Sequence, residues 1–231
     1  MLILAVDTSG KQGSIALARG DAASFELIES VPVAGGTFSA QLIPAIAGLL
    51  ARHGIPKEKL EGIAAASGPG SFTGLRIGLA AVKGLGETLG KPIAAVSVLE
   101  ACADMQRAQV RKEVQKEDKG EGEILAVLDA SRGDVFLGNF QAEGNRLQCL
   151  GETLMSMAEF VQYLREQNRP QMLCSPDESV VHALEQQGIT VTKSERPGSR
   201  EIARLGLRKI AVGEVVSPEA LDANYIRRAL I

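Results

Sequence analysis

Histidines, cysteines and carboxylates are the side chains that most often bind metals or act as nucleophiles, so their spacing is the first guide to chemistry. The two histidines, His53 and His182, are far apart, and no pair of His, Cys or Asp has the spacing of metal ligands. The cysteines Cys102, Cys149 and Cys174 are also dispersed, and no Ser/His or Cys/His arrangement is visible. The sequence therefore predicts no metal site within this chain and no independent peptidase activity. We interpret the cysteines as apolar core residues.

A glycine-rich segment is the clearest local candidate for a binding site. It occupies residues 67–78 (SGPGSFTGLRIG), between an apolar run and a predicted helix. The free N–H groups at the start of a helix attract anions. However, the segment lacks the Gly-Lys-Ser/Thr ending of a Walker loop. Taken alone, the pattern is compatible with an anion site but does not specify one.

The composition limits the classes of protein to which this chain can belong. It has 231 residues, of which 45% are hydrophobic and 3% aromatic, and its formal net charge is -3. At about 150 residues per domain, such a chain forms one large domain or two small lobes, and it is too hydrophobic to be disordered. A mildly acidic chain is not expected to grip nucleic acid by itself, because that task needs clustered Lys and Arg.

The sequence contains no recognisable targeting or membrane segment. The apolar residues 1–6 end at Asp7, lack the basic flank of a signal peptide and are far fewer than the ~20 residues of a membrane span. We therefore expect a cytoplasmic protein with no membrane partner, in a reducing compartment where its cysteines remain free.

The order of predicted elements indicates an α/β fold with two lobes and mixed sheets. In the first half, strands are predicted at 2–7, 14–18, 25–28, 63–67 and 93–96, and helices at 39–53, 72–89 and 99–109. In the second half, strands are predicted at 124–129, 135–140, 146–150, 172–174 and 189–192, and helices at 156–167, 178–187 and 200–212. Both halves begin with three strands and continue with alternating helices and strands.

The same pattern predicts the domain organisation. The first lobe spans residues 1–110, a charged connection 111–123, the second lobe 124–199 and a C-terminal tail 213–231. Helix 200–212 is expected to pack back on the first lobe. Each lobe opens with a strand that ends in an aspartate before a turn, at Asp7 and Asp129, which favours an internal duplication.

The first predicted helix contains no charged residue between Phe38 and Ala51. At about 100° per residue its apolar stripe consists of Leu42, Ile46, Leu49 and the adjacent Leu50. A helix that is apolar all round is expected to be buried on all sides. Pro44 lacks an N–H group and would kink a helix capped at Ser39, so a start nearer Leu42 is the alternative.

The second predicted helix has two apolar faces and a narrow polar one. The small face contains Gly74, Gly78, Ala81, Leu85 and Thr88, the leucine face contains Leu75, Leu79, Val82 and Leu89, and the polar face contains Arg76, Lys83 and Glu87. Each glycine costs about 1 kcal/mol relative to alanine inside a helix, and close approach of another backbone would offset that cost. We expect the leucine face to cover the chain's own sheet and the small face to meet another helix.

Together the two helices carry more apolar surface than one small lobe needs, which predicts an interface. The alternative is simple burial between the two lobes. Two interpretations are also open for Arg76, since it could pair with a carboxylate of a partner or be solvated.

Several motifs resemble the bacterial TsaB family, formerly YeaZ. The most specific is residues 68–78 (GPGSFTGLRIG), and the others are 4–9 (LAVDTS), 41–44 (QLIP), 129–136 (DASRGDVF) and 225–227 (YIR). The similarity in order and spacing covers nearly the whole chain. It implies a two-lobed fold like that of actin, sugar kinases and heat-shock chaperone ATPases.

The resemblance implies a non-catalytic role. TsaB proteins are the dimerisation subunit for TsaD, which with TsaE makes N6-threonylcarbamoyladenosine in tRNA next to the anticodon. The first two helices pack against the matching pair of TsaD, or of a second copy when TsaD is absent, and tRNA is met only through the complex. The interface expected on this basis consists of Leu42, Ile46, Leu49, Leu50, Gly74, Arg76, Gly78, Ala81 and Leu85.

An ATP-dependent phosphotransferase of the same superfold is the alternative. Its magnesium and nucleotide would lie at the two strand ends, where this sequence has Asp7, Thr8, Ser9 and Asp129. The competing interpretation is that each aspartate only caps its turn. Residues 174–176 (CSP) replace the glycine-rich turn of relatives, and Phe38 stands near the site of a common histidine. We therefore expect no cofactor on this chain alone, with ATP or ADP only at a subunit boundary.

Overall fold

The structure is a computed structural model that describes residues 1–113, 122–144, 146–167 and 172–226. The chain divides into two compact units. Unit 1 consists of Met1–Val98 and Pro197–Asn224, and unit 2 consists of Leu99–Arg196 with the residues from Tyr225. The prediction placed the first boundary at residue 110, after the third helix, whereas the structure places it before that helix.

Unit 1 is built on a mixed five-stranded sheet. Its strands are β1 (Leu2–Asp7), β2 (Gly13–Gly20), β3 (Phe25–Val33), β4 (Gly62–Gly68) and β5 (Ile93–Ser97), and their order in the sheet is β3-β2-β1-β4-β5. The first three strands pair antiparallel, while β4 lies parallel to both β1 and β5. The helices of this unit are α1 (Phe38–Arg52), α2 (Phe72–Leu89) and α6 (Ser199–Ala211).

The helices of unit 1 cover both faces of its sheet. Ile63 and Ala65 of β4 belong to the core that α1 and α2 close. Ala64 points to the other face because side chains alternate along a strand, and there it meets Gly206 of α6. A Cβ atom at position 206 would collide with the Ala64 Cβ, so glycine allows α6 to approach the sheet. The prediction that this helix packs back on the first lobe agrees with these contacts.

Unit 2 repeats the topology of the first sheet. Its strands are β6 (Gly122–Ser131), β7 (Asp134–Glu143), β8 (Arg146–Ser156), β9 (Met172–Ser175) and β10 (Thr192–Lys193). Their order, read from the other edge, is β8-β7-β6-β9-β10, which matches β3-β2-β1-β4-β5 strand for strand. The helices are α3 (Val98–Glu113), which begins at the unit boundary, α4 (Met157–Glu166) and α5 (Glu178–Glu185). The predicted α/β fold with mixed sheets is confirmed.

Most predicted elements are present, with shifted ends. Helix α2 has the predicted bounds, and α4 begins with the capping box formed by Ser156 and Glu159. The last predicted strand of the second lobe is shorter and later, at β10. The predicted charged connection is helix up to residue 113 and strand from 122, while 114–121 lie outside the described residues.

The alternative start of α1 near Leu42 is wrong, because the helix begins at Phe38 and contains Pro44. Proline at this position removes the N–H group that would bond to the Ala40 carbonyl, and its ring crowds that carbonyl. Both Ala40 and Pro44 lie on the exposed side of the helix, so water can satisfy the carbonyl that loses its donor.

Candidate partner-binding site

The exposed surface formed by α1 and α2 is the main candidate site, and we call it the helix-pair face. On α1 it consists of exposed residues that are mostly apolar: Ser39, Ala40, Ile43, Pro44, Ala47 and Ala51. Within the chain itself α1 is thus buried on one side only, and burial of its other side stays a prediction. Ile43 is 52% exposed and lies among the exposed alanine and proline side chains of a helix that carries no carboxylate.

Apart from Phe72, Thr73 and Thr88, the exposed residues of α2 form a single stripe. Arg76, Ala80, Gly84 and Glu87 are exposed, and Ile77 is partly exposed beside them. At 100° per residue these positions lie within about 100° of one another around the helix. The stripe is thus a continuous strip of small residues with a cation near one end and a carboxylate near the other.

A shallow groove of about 420 Å³ lies between the two helices. It is lined by Phe38, Ser39, Leu42, Ile43, Arg76, Ile77, Ala80 and Ala81. At its edge the guanidinium carbon of Arg76 lies 3.8 Å from the centre of the Phe72 ring, a cation–π contact that orients the arginine. An apolar groove beside an oriented cation suits an apolar side chain of a protein partner better than a small charged ligand.

The position of α1 is fixed at its C-terminal end by an acidic residue of the neighbouring sheet. Glu29 of β3 accepts hydrogen bonds from Arg52 at 2.9 Å and from His53 at 2.7 Å. The Arg52 hydrogen bond, followed by that of His53, lowers the pKa of Glu29 below its usual range. This cluster ties the end of the helix to the sheet edge.

The nine residues predicted for the interface lie in three different environments. Six are buried within the chain itself: Leu42, Ile46, Leu49, Leu50, Gly74 and Gly78. Ala81 and Leu85 are partly buried, and only Arg76 is exposed. The predicted pair of helices does present an apolar surface, but most of the residues chosen for it face inwards.

The glycine end of the small face of α2 is covered by its own unit, which corrects the expectation that another helix meets it there. A Cβ atom at Gly74 would collide with the carbonyl oxygen of Thr8, and one at Gly78 would collide with the Thr8 hydroxyl. The two glycines therefore allow α2 to lie against the turn after β1. The close backbone approach was predicted correctly, whereas its partner was assigned to the wrong molecule.

The predicted nucleotide residues of unit 1 form this same buried turn. Asp7, Thr8 and Ser9 are at most 5% exposed. The Asp7 carboxylate accepts a hydrogen bond from the Ser9 N–H at 2.9 Å, and the Ser9 carbonyl accepts one from the Ser71 N–H at 2.7 Å. The glycine-rich segment thus packs on the turn, and the carboxylate holds the turn's own backbone.

The corresponding turn of unit 2 is more exposed but has the same local geometry. The Asp129 carboxylate accepts from the Ser131 N–H at 2.7 Å and from the Ser179 hydroxyl at 3.0 Å. The Asp129 N–H in turn donates to the Asp177 carboxylate at 2.8 Å, and Arg196 pairs with Asp177 at 2.7 Å. The interpretation that each aspartate caps its turn agrees with both geometries.

The described residues contain no group of three or more His, Cys, Asp or Glu side chains that could hold a metal ion. Phe38 is buried at the start of α1 and packs over Gly13. In the part of the chain that the structure describes, no helix is both long and apolar enough to cross a membrane. Arg227, the last residue of the Tyr-x-Arg motif, lies outside the described residues.

The two sheets of matching strand order define an α/β protein built from two related units. The first of these units exposes the helix-pair face. Solved structures share this fold: YeaZ from Pseudomonas aeruginosa aligns with a TM-score of 0.72 at 24% identity, over 96% of this chain and 100% of that one. A second structure, described as similar to the peptidase YeaZ of the same organism, has a TM-score of 0.73 at 25% identity over 98% and 99%.

Sequence comparison places the chain in a family. It is 32% identical to the tRNA threonylcarbamoyladenosine biosynthesis protein TsaB of Bacillus subtilis, over 99% of this chain and 95% of the relative. TsaB of Escherichia coli is 31% identical over 63% and 57%. Residues 32–211 match the family model of TsaD, tRNA N6-adenosine threonylcarbamoyltransferase. The chain belongs to the TsaB (YeaZ) family, which confirms the resemblance seen in its motifs.

Proposed function

We propose that this chain is the non-catalytic subunit that binds and activates TsaD in the complex that makes N6-threonylcarbamoyladenosine in tRNA next to the anticodon. The observation that carries the proposal is the helix-pair face, an exposed apolar surface in a member of the TsaB family. Exposed apolar patches rimmed by polar residues mark protein interaction sites. Here Arg76 and Glu87 are the charged residues at the edges of the patch.

The match to the TsaD family model supports the identity of the partner. It covers residues 32–211, which include the whole of α1 and α2. A protein of the TsaD family therefore has helices related to this pair. Two related helix pairs can pack as a four-helix interface, with the apolar side chains of each pair entering the grooves of the other.

The turn geometries support a non-catalytic role with no cofactor on this chain alone. The carboxylates of Asp7 and Asp129 are both hydrogen-bonded by the backbone of their own turns. The buried turn at Thr8 leaves little room for a phosphate, because α2 packs directly on it. On this proposal ATP or ADP binds only at a subunit boundary, TsaE joins through the complex and tRNA is met only indirectly.

A matched pair of substitutions tests the proposal. Ile43 lies on the helix-pair face and is 52% exposed, while Leu150 lies on β8 of unit 2 and is 53% exposed. We expect Ile43→Asp to weaken TsaD binding at least thirtyfold, about the effect of losing one central interface residue. Leu150→Asp should leave binding unchanged. Binding of TsaD to immobilised protein and threonylcarbamoyladenosine formation in the reconstituted system measure both effects.

Two outcomes would contradict the proposal. Normal TsaD binding by the folded Ile43→Asp variant would remove the helix-pair face from the interaction. Calorimetry that showed micromolar ATP binding with magnesium, together with turnover by the isolated chain, would instead favour the autonomous phosphotransferase. Circular dichroism of each variant confirms that the chain is folded.

A further inference from the structure

The two ends of α1 are held in different ways. At the C-terminal end, Glu29 accepts hydrogen bonds from two basic side chains, as described above. At the N-terminal end, the Thr37 hydroxyl donates to the Ala34 carbonyl instead of capping the helix, and residues 38–41 contain no carboxylate. An uncapped first turn frays unless other contacts hold it. The first turn of α1 therefore depends on the packing of its side chains.

Phe38 supplies that packing. Of residues 38–41, all of which the structure describes, only Phe38 is buried, with 5% of its surface exposed. A Cβ atom at Gly13 would lie 2.7 Å from the Cε1 atom of the ring, and one at Gly74 would lie 3.3 Å from Cε2. The ring thus lies between the start of β2 and the first turn of α2, and it connects both of them to the first turn of α1.

The same ring belongs to the lining of the groove on the helix-pair face. Half of the residues that line the groove come from α1, and two of them, Phe38 and Ser39, lie in its first turn. Ile43 follows in the next turn and also lines the groove. The distance between the two walls of the groove therefore depends on where Phe38 holds the first turn of α1.

We propose that Phe38 is a positioning residue for the binding of TsaD. Its ring holds the first turn of α1 at the distance from α2 at which the groove admits an apolar side chain of the partner. Because Phe38 is almost fully buried, the ring acts through the positions of Ser39 and Ile43 and not by its own contact with TsaD. This inference names a residue that controls the same surface, and so it rests on the proposed function.

A positioning role has a kinetic signature. Loss of the ring lowers the fraction of chains whose groove has the spacing needed for binding, and the apparent affinity falls in proportion to that fraction. The contacts within the bound complex stay the same. The association rate should therefore decrease while the dissociation rate is unchanged. A residue that contacts TsaD directly would behave differently, because most interface substitutions raise the dissociation rate.

Replacement of Phe38 tests this role in the full chain. Phe38→Leu removes the part of the ring that lies against Gly13 and keeps an apolar side chain at the start of α1. We expect association with TsaD to become about tenfold slower, with an unchanged dissociation rate, as measured by surface plasmon resonance. Phe38→Met conserves more of the volume, so it should show the same change to a smaller extent and replaces Phe38→Leu if that variant does not fold.

Two core substitutions control for a general loss of stability. Leu17 and Ile63 are fully buried in the core that α1 and α2 close, and they lie on strands and not on either helix. Leu17→Ala and the milder Ile63→Val leave cavities of different size, so they bracket the destabilisation caused by Phe38→Leu. Urea unfolding ranks the stabilities, and circular dichroism shows that each variant is folded. We expect both folded controls to bind TsaD with the wild-type rates.

Three results would overturn the positioning role. They are wild-type association rates for the folded Phe38 variants, equal slowing in the core controls, and faster dissociation with an unchanged association rate. If any of these is found while Ile43→Asp still loses TsaD, the proposed function stands without this inference. A wild-type chain that does not bind TsaD would instead contradict the proposed function itself, and the role of Phe38 would fall with it.

Discussion

The two units share one topology but expose very different helices. In unit 1 the helices that follow the third and fourth strands are α1 and α2, and about half of their exposed residues are apolar: Ala40, Ile43, Pro44, Ala47 and Ala51 on α1, and Phe72, Ala80 and Gly84 on α2. In unit 2 the helices in the same topological positions are α4 and α5. Their exposed residues are mostly polar: Ala158, Glu159, Gln162, Arg165 and Glu166 on α4, and Glu178, Ser179, His182 and Glu185 on α5.

The comparison shows that topology does not decide which helices have an apolar outward face. Both units bury an apolar core on one side of such helices, with Leu75 and Leu79 in unit 1 and Phe160 and Leu184 in unit 2. The difference lies only on the outward faces. A duplicated fold can therefore assign binding to one half by changing solvent-facing residues, which leaves both cores intact.

The largest expected effect is a difference in the rate at which a thiol reagent labels the cysteines. All three cysteines lie in unit 2. Burial raises the pKa of the Cys174 thiol from 9.0 to about 12. Since only the thiolate reacts, and a higher pKa makes it rarer at any pH below that value, its fraction at pH 8 falls about a thousandfold. We expect a thiol reagent to modify the exposed Cys149 and to spare Cys174, as read by mass spectrometry of the labelled peptides.

Equally fast labelling of Cys149 and Cys174 in the native protein would show that unit 2 opens readily. It would also weaken the comparison, because unit 2 would no longer serve as a stable reference for unit 1. Labelling in denaturant, where all three cysteines should react, is the control.

The second prediction concerns two glycines of α2 with opposite surroundings. Gly74→Ala places a methyl group against the Thr8 carbonyl and should destabilise unit 1 by about 2–3 kcal/mol. Gly84→Ala points into open space on the exposed stripe and should stabilise the helix by about 0.5–1 kcal/mol. Urea unfolding measures both changes, and Cys174 labelling shows whether the damage stays within unit 1.

Similar stabilities of the two alanine variants would contradict the packing of Gly74 on the turn after β1. The small face of α2 would then again be open to a partner, as the sequence pattern suggested. The Gly84→Ala variant has a further use, since it alters the stripe itself without introducing charge.

The smallest expected effect concerns the N-terminal caps of two helices, α4 in unit 2 and α1 in unit 1. In α4 the Ser156 hydroxyl accepts from the Glu159 N–H, and the Glu159 carboxylate accepts from the Ser156 N–H, so Ser156→Ala should cost about 1 kcal/mol. In α1 the residue before the helix is Thr37, whose hydroxyl makes no capping hydrogen bond and donates instead to the Ala34 carbonyl. Thr37→Ala should cost less than about 0.5 kcal/mol. Urea midpoints compare the two, and a larger loss at Thr37 would contradict this assignment.

Local sequence signals predicted much of the fold. Gly90 and Pro92 mark the end of α2, whose predicted bounds match, and the strand-aspartate-turn openings predicted the duplicated sheet. Strand β5 ends at Ser97 and helix α3 begins at the next residue, Val98. No turn or linker in the sequence therefore marks the unit boundary there. That boundary is set by which residues the helix contacts, which depends on distant parts of the chain.

The sequence pointed to the two helices of the candidate site, but it did not show which of their side chains are exposed. Helix α1 is apolar all round, so periodicity cannot tell its inward side chains, such as Leu42, from outward ones such as Ile43. On α2 the glycines indicated close backbone approach, but their neighbour, Thr8, is more than sixty residues away in sequence. Only the tertiary structure identifies such a contact.

The discontinuous make-up of unit 1 has a consequence for biosynthesis. Unit 2 is almost contiguous, so nearly all of its contacts can form on the ribosome soon after residue 196 has emerged. The sheet of unit 1 must wait for α6 to cover its second face and for Val216 to bridge to Ile93. The first ninety-eight residues therefore gain their final support only after residue 216 has been made, although the helices of the helix-pair face are made early.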